Sequence, residues 1–236
     1  MPYIENPKTA GSDIVCAIPQ SGTYCPMRCE HCFFLGGRSY LEPLKHHLPN
    51  LPKNVRPDQI VRINDGLDSG VDWPSVRDYC ASLHRSGTEC FLNTAIPIGP
   101  HTCSGWPYML TINPGRHTDT SFFGPNPRPL PRPFAVRFRA NTWNVQLARE
   151  AVRAWTPTPV ILTFMAYTTE IKSPYYTHRQ RTLNPYWVVT QEGWDLVCSA
   201  MPVDTAWYTC GRDADTHACK HCRNCEVLYR CRNKYY

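Results

Sequence analysis

The sequence predicts a parallel α/β fold, and three observations carry that expectation. Short apolar runs of strand length alternate with segments of helical period, the pattern of βαβ units. The run Val160–Tyr167 is apolar along its length, as strands covered on both faces are. The chain has 236 residues, enough for one domain with a real core and a small appendage.

Each element has its own signal. Asp13–Pro19 reads as a first strand running into a cysteine-rich loop. Ile60–Asn64 is a β-branched run closed by the turn pair Asp65-Gly66. Trp73–His84 places Trp73, Val76, Tyr79, Cys80 and Leu83 on one helical face, and Gly87 ends it. Glu89–Ile96 and Tyr108–Ile112 read as strands, the second stopped by Asn113-Pro114-Gly115, and Phe134–Phe138 is another. Thr142–Trp155 is a helix with Val145, Ala148, Val152 and Trp155 as its apolar stripe. Thr142 is its expected N-cap, and Pro157 follows its end. About six strands result. Arg38–Pro57 is a poor helix, and His117–Pro133, rich in Pro and Arg, reads as an exposed semi-rigid loop.

Apolar residues make up 42% and charged residues 19%, so the chain is globular rather than disordered. The segment Met1–Ser12 is polar, broken by Pro2 and Pro7, and does not read as a signal peptide. The apolar runs are too short to span a bilayer. The expectation is a soluble, cytoplasmic protein without a membrane partner. A formal charge of +6 permits a nucleic-acid partner without requiring one.

Thirteen cysteines in a reducing compartment point to metal ligation rather than disulfides. They fall into two groups, with Cys16, Cys80, Cys90, Cys103 and Cys198 scattered outside them as small buried apolar residues. The first group is Cys25-x3-Cys29-x2-Cys32 within Gly22–Phe34. Three thiolates on one loop can hold three irons of a cubane and leave the fourth open for direct binding of substrate. A zinc site shared with the second group is the competing reading.

This motif, on a loop after a first strand, resembles that of the radical SAM superfamily. The resemblance implies a partial parallel (β/α)6 barrel with a small cysteine-rich C-terminal extension, the core over residues 1–200 and the extension over 201–236. It implies a [4Fe–4S] cluster on Cys25, Cys29 and Cys32, whose open iron binds S-adenosylmethionine. It also implies reductive cleavage to a 5′-deoxyadenosyl radical, and an external one-electron reductant of the flavodoxin or ferredoxin type. His31 stands where the superfamily usually has an aromatic residue and is expected to pack over the cluster. The turn after the second strand, Asn64 to Gly70, occupies the place of the superfamily's Gly-Gly-Glu. There Asn64, Asp65 and Asp68 are expected to receive the methionine amino group, or to form a plain Asx-type turn. Asn93, Asn113, Arg139 and Asn141 fall at the carboxyl ends of later strands, where parallel α/β folds bind ligands, and are expected to hold the ribose and carboxylate.

The second group, Cys210, Cys219, Cys222, Cys225 and Cys231, has His217 and His221 interleaved and Arg212, Lys220, Arg223, Arg230, Arg232 and Lys234 around it. It reads as a second [4Fe–4S] cluster, loosely similar to SPASM and twitch extensions, or as structural zinc. The rival functions are a non-enzymatic zinc protein that binds nucleic acid and a glycyl-radical activating enzyme. The substrate class stays open among peptide, nucleic acid and small molecule.

Overall fold

The computed structural model describes residues 2–27, 29, 32–37, 39–95, 105–114, 132–180, 185–216 and 218–232. His31, Cys103, His217, Lys234 and most of the 117–133 stretch lie outside the described residues. The fold is α/β. Seven strands form one parallel sheet: β1 (Ile14–Ala17), β2 (Ile60–Ile63), β3 (Glu89–Thr94), β4 (Tyr108–Ile112), β5 (Ala135–Ala140), β6 (Val160–Phe164) and β9 (Trp207–Thr209). Their order in the sheet follows the chain without a reversal, and every pair is parallel. Such an order keeps the crossovers on one face and lets the sheet curl around the other. It curls as a half-barrel, open between its edge strands β1 and β9.

Helices α1 (Trp73–Arg85), α2 (Val145–Trp155) and α3 (Gln191–Ser199) pack on the outer face. Val76, Cys80 and Leu83 of α1, and Ala148, Ala151, Val152 and Trp155 of α2, recur at helical spacing and are buried against it. The strands meet them with alternate residues, among them Val61, Ile63, Leu92, Val136, Phe138 and Leu162. Burying a side chain of this size stabilises by roughly 1.5–3 kcal/mol. The other set of alternate residues, Ile14, Ile60, Phe91, Met109, Ala135 and Ile161, forms a second apolar cluster on the inner face. Leu228 and Tyr229 of the last helix, α5 (Asn224–Arg230), close it.

The strands and helices of the first 164 residues fall where the sequence puts them, within a few residues. One local expectation is corrected. The residue before α2 is Asn144, not Thr142, and no side chain caps that helix. Asn144 instead accepts from the Asn141 N–H at 2.7 Å and donates to the Arg139 carbonyl at 3.1 Å, folding the strand end over. The sequence also leaves unseen the antiparallel hairpin of β7 (Tyr176–Gln180) and β8 (Pro185–Val189), and helix α3 behind it. The Thr190 hydroxyl caps α3 by accepting from the Gly193 N–H at 3.2 Å. Strand β9 lies beyond residue 200 and pairs with β6, and Cys210 follows it directly. Among the described residues no helix is long and apolar enough to cross a membrane.

Candidate functional site

The chain leaves β1 at Ala17 and enters the loop that carries Cys25, Cys29 and Cys32 at the carboxyl edge of the sheet. Two contacts fix this loop to its surroundings. The Phe34 ring lies against the backbone of Gly66, where a Cβ would fall inside the ring's van der Waals radius. Phe34 also joins Ile18, Leu41, Leu44 and Leu48 in a small apolar cluster. Part of the Pro- and Leu-rich segment that makes a poor helix is thus the packing under the cysteine loop.

The loop thiols sit among donors. Asn113, just past β4, donates from Nδ2 to Cys29 Sγ at 3.6 Å, and the Leu35 N–H points at Cys32 Sγ at 3.4 Å. The Met27 N–H serves Cys25. Burial pushes the Cys25 and Cys29 thiols up, and the neighbouring thiols, Cys32 included, push the same way. Arg139 opposes this at Cys29. N–H donors aimed at sulfur stabilise thiolate in preference to thiol, the second-shell arrangement of thiolate-bound metals. Thiols with N–H donors aimed at them are the donor chemistry of iron–sulfur sites, although among the described residues these side chains are not gathered closely enough to hold a metal ion.

The turn after β2 is held from several sides. Asn64 adopts a left-handed conformation, φ 63°, which asparagine tolerates. Its side chain donates to Gln20 Oε1 at 2.8 Å and accepts from the Ser69 hydroxyl at 3.0 Å. The Asp68 carboxylate accepts from the Thr94 hydroxyl at 2.7 Å and from the Gly70 and Ala95 N–H groups at 2.8 and 2.5 Å. Asp65 is turned toward the N-terminal segment, accepting from Asn6 at 2.5 Å and the Tyr40 hydroxyl at 2.9 Å, with Arg62 at 3.9 Å. Both carboxylates help hold the fold, Asp65 through Oδ2 alone, with Oδ1 buried and without a partner among the described residues, while Asp68 stays close enough to Cys25 and Cys29 to be felt electrostatically.

The strand-end residues meet at the same edge. Asn93 donates to the Asn64 carbonyl at 3.0 Å, and its Oδ1 is buried with no hydrogen-bond partner among the described residues. Arg139 donates to the Pro114 carbonyl at 3.1 Å and lies near Cys29. Asn141 accepts from the buried Tyr167 hydroxyl. Beside them Trp143, 56% exposed, rests on the rings of Tyr167 and Tyr176 at centroid distances of 5.6 and 5.3 Å. Gln20, Ser69, Thr94 and Trp143 are the positioning residues that the sequence does not single out. Only the polar run at a strand end signals them.

The second cysteine group lies on the inner face. Cys210 follows β9, Cys219 and Cys222 bound the single turn α4 (Cys219–Cys222), and Cys225 opens α5. Cys219 interacts electrostatically with Cys210, Cys222 and Cys225, and Cys222 with Cys210 and Cys225. The Gly211 and Asn224 N–H groups point at the Cys222 sulfur. Burial pushes the Cys219 thiol up to about 11, with Arg62 opposing. Cys231 sits at the far end of α5, roughly 9 Å along the axis from Cys225 and about a third of a turn round it. No disulfide joins any of the twelve described cysteines. Among the described residues, no three His, Cys, Asp or Glu side chains stand close enough together to hold a metal ion. Compared with known proteins, the chain matches no family model, no curated protein and no solved structure.

Proposed function

We propose that this chain is a radical SAM enzyme, cleaving S-adenosylmethionine reductively to methionine and a 5′-deoxyadenosyl radical that takes hydrogen from a substrate. The observation that carries the reading is the three-cysteine loop at the carboxyl edge of a parallel half-barrel, with Asn113 of a neighbouring strand end donating to Cys29 Sγ. A [4Fe–4S] cluster on Cys25, Cys29 and Cys32 would supply an open iron position and an electron.

The chain's own residues bind and orient. Asn93 Oδ1, a buried acceptor, is placed to take an N–H or O–H of the bound S-adenosylmethionine. Asp68 already accepts from Thr94, Gly70 and Ala95, and Asp65 uses only Oδ2, its Oδ1 being buried without a partner among the described residues. Arg139 beside Cys29 suits the methionine carboxylate, since a guanidinium clamps carboxylate in two-point fashion. Asn64, Gln20 and Ser69 keep the turn after β2 against the loop after β1. Phe34 and its apolar neighbours hold the loop down on the fold. The tail would hold a second centre, a cluster or zinc, and a flavodoxin- or ferredoxin-type reductant would deliver the electron in a reducing cytoplasm.

The test is anaerobic reconstitution with iron and sulfide, then incubation with S-adenosylmethionine and dithionite. The expected result is a brown protein that forms 5′-deoxyadenosine, and a Cys25→Ala, Cys29→Ala, Cys32→Ala variant that forms none while keeping the tail's metal. Purified protein that carries only zinc, takes up no iron and leaves S-adenosylmethionine intact would refute the reading.

A further inference from the structure

Above its apolar floor, the inner face of the half-barrel turns polar. Met109, Ala135 and Ile161 of β4, β5 and β6 are buried under Leu228 and Tyr229 of α5. The tail is pinned there from one edge of the open sheet to the other. The Cys210 N–H is bonded to the Leu162 carbonyl of β6 at 2.7 Å, and the Cys219 N–H to the Lys8 carbonyl at 2.8 Å, in the segment that leads into β1. Side chains of one sheet face recur at every second residue, so the next inward positions are Thr111, Arg137 and Thr163. Their neighbours Leu110, Ile112, Val136, Phe138 and Leu162 face outward into the core under the helices.

These three positions are also where the strands stop being buried. Thr111 is the one residue of β4, and Arg137 the one residue of β5, that is partly exposed, and on β6 burial ends at Thr163. In a closed barrel such inward positions are filled and packed. Here their partial exposure marks open space on the concave side. Thr111 and Arg137 are register partners, and Thr163 lies opposite Arg139, the next inward residue of β5. The three side chains therefore share one patch of the concave wall.

Arg137 makes no ion pair among the described residues, and its one hydrogen bond there goes to Cys225 Sγ at 3.7 Å, a weak acceptor. Arg62 on β2 differs, because the Asp65 carboxylate faces it at 3.9 Å, and it is no part of the patch. The Thr163 hydroxyl is shielded and has no partner among the described residues. A reachable guanidinium with most of its N–H donors unused, flanked by hydroxyls on a concave surface, is suited to a planar or tetrahedral oxyanion, which it grips at two points.

We propose that Arg137, with Thr111 and Thr163 beside it, forms an oxyanion subsite inside the half-barrel, and that it holds a carboxylate or phosphate group of the substrate. Naming that ligand the substrate rests on the radical reading above, whereas the anion binding does not. Arg137 lies two residues before Arg139 on β5, roughly 6–7 Å along the strand. The anionic group would thus anchor one end of the substrate below the carboxyl edge, leaving the other end toward the cysteine loop.

The test is titration of the full chain, without added iron or S-adenosylmethionine, with inorganic phosphate and with succinate at constant ionic strength, read by calorimetry. At least one of the two anions should bind saturably, and which one binds tells phosphate from carboxylate. Arg137→Gln should weaken that binding about tenfold or more, the scale of charge-assisted hydrogen bonds. Arg137→Lys should keep part of it, and Thr111→Val should weaken it roughly threefold. Arg77→Gln, which removes an exposed charge from the outer helix α1, should bind as the parent does. Circular dichroism shows which variants are folded, and Arg137→Lys and Thr111→Val decide the matter if Arg137→Gln is not. A parent that binds neither anion, or folded Arg137 variants that bind as tightly as the parent, would overturn the subsite. A chain that binds an anion through Arg137 but leaves S-adenosylmethionine intact after reconstitution would refute the radical reading and keep the subsite.

Discussion

At the scale of single residues, the informative contrast is between acceptors already engaged and acceptors still available. Asp68 reads from the sequence as a charged receptor of the turn, yet it serves Thr94 and backbone N–H groups. Asp65 serves Tyr40 and Asn6 through Oδ2 only, and its Oδ1, like Asn93 Oδ1, is buried without a partner among the described residues. Asn93→Ala should therefore weaken S-adenosylmethionine binding roughly tenfold, the scale of one hydrogen bond to a charged group, with no loss of iron. Isothermal titration of the reconstituted protein measures it, and an unchanged Kd would remove Asn93 from the site. The loop after β1 that carries Cys25, Cys29 and Cys32 was legible because its turn residues are local, and the places of Asn93, Asn113 and Arg139 were legible because strand ends are. The role of Asp68 was not, because it depends on Thr94, a partner 26 residues away that no local pattern announces.

Among the elements, α5 is the one whose placement changes most between sequence and structure. Its signal was cysteine content, which says nothing about packing, whereas its buried residues are Glu226, Leu228 and Tyr229. Glu226 anchors it, accepting from Arg223 at 3.0 and 2.7 Å and from Arg230 at 3.4 Å. Those arginines hold its carboxyl below the ordinary value of 4.5. A group with a depressed native pKa stabilises fully above its unfolded value and loses that contribution as pH falls through the native one. Glu226→Gln should cost about 1 kcal/mol at pH 7, the partly exposed arginines keeping the figure small. The gap between variant and parent should close as pH drops below the carboxylate range. Urea melts at pH 7 and at acid pH check this, and a pH-independent gap would mean that packing, not charge, holds the helix. Strand β9, three residues long, and the hairpin of β7 and β8 escaped notice for a related reason. Their pairing supplies what their short, mixed sequences lack.

For the whole molecule, an open half-barrel leaves two unpaired edges, and the tail spans them. On the proposed reading of the tail as metal-holding, loss of that metal should then act on stability before chemistry, since metal binding in a short cysteine-rich segment is largely its folding energy. Cys219→Ala, Cys222→Ala, Cys225→Ala should lower Tm while leaving some 5′-deoxyadenosine formation uncoupled from substrate. Differential scanning calorimetry and chromatography of the nucleoside test the two halves. Cleavage abolished in a variant that keeps its fold and first cluster would place the tail at the primary site. The parallel sheet itself was legible from alternating apolar periods. The strap across it was not, because it follows from which distant surfaces α5 covers.

The position of α5 also orders events in time. The loop with Cys25, Cys29 and Cys32 is synthesised well before residues 228 and 229, which cover the inner face of the sheet. At ordinary elongation rates, the interval between them on the ribosome is roughly 10–40 s. Through that interval the thiols of the loop face solvent on a sheet whose inner surface is still bare. On the proposed metal-holding reading, any centre that the tail cysteines form could be loaded only once α5 has been made and docked on the inner face.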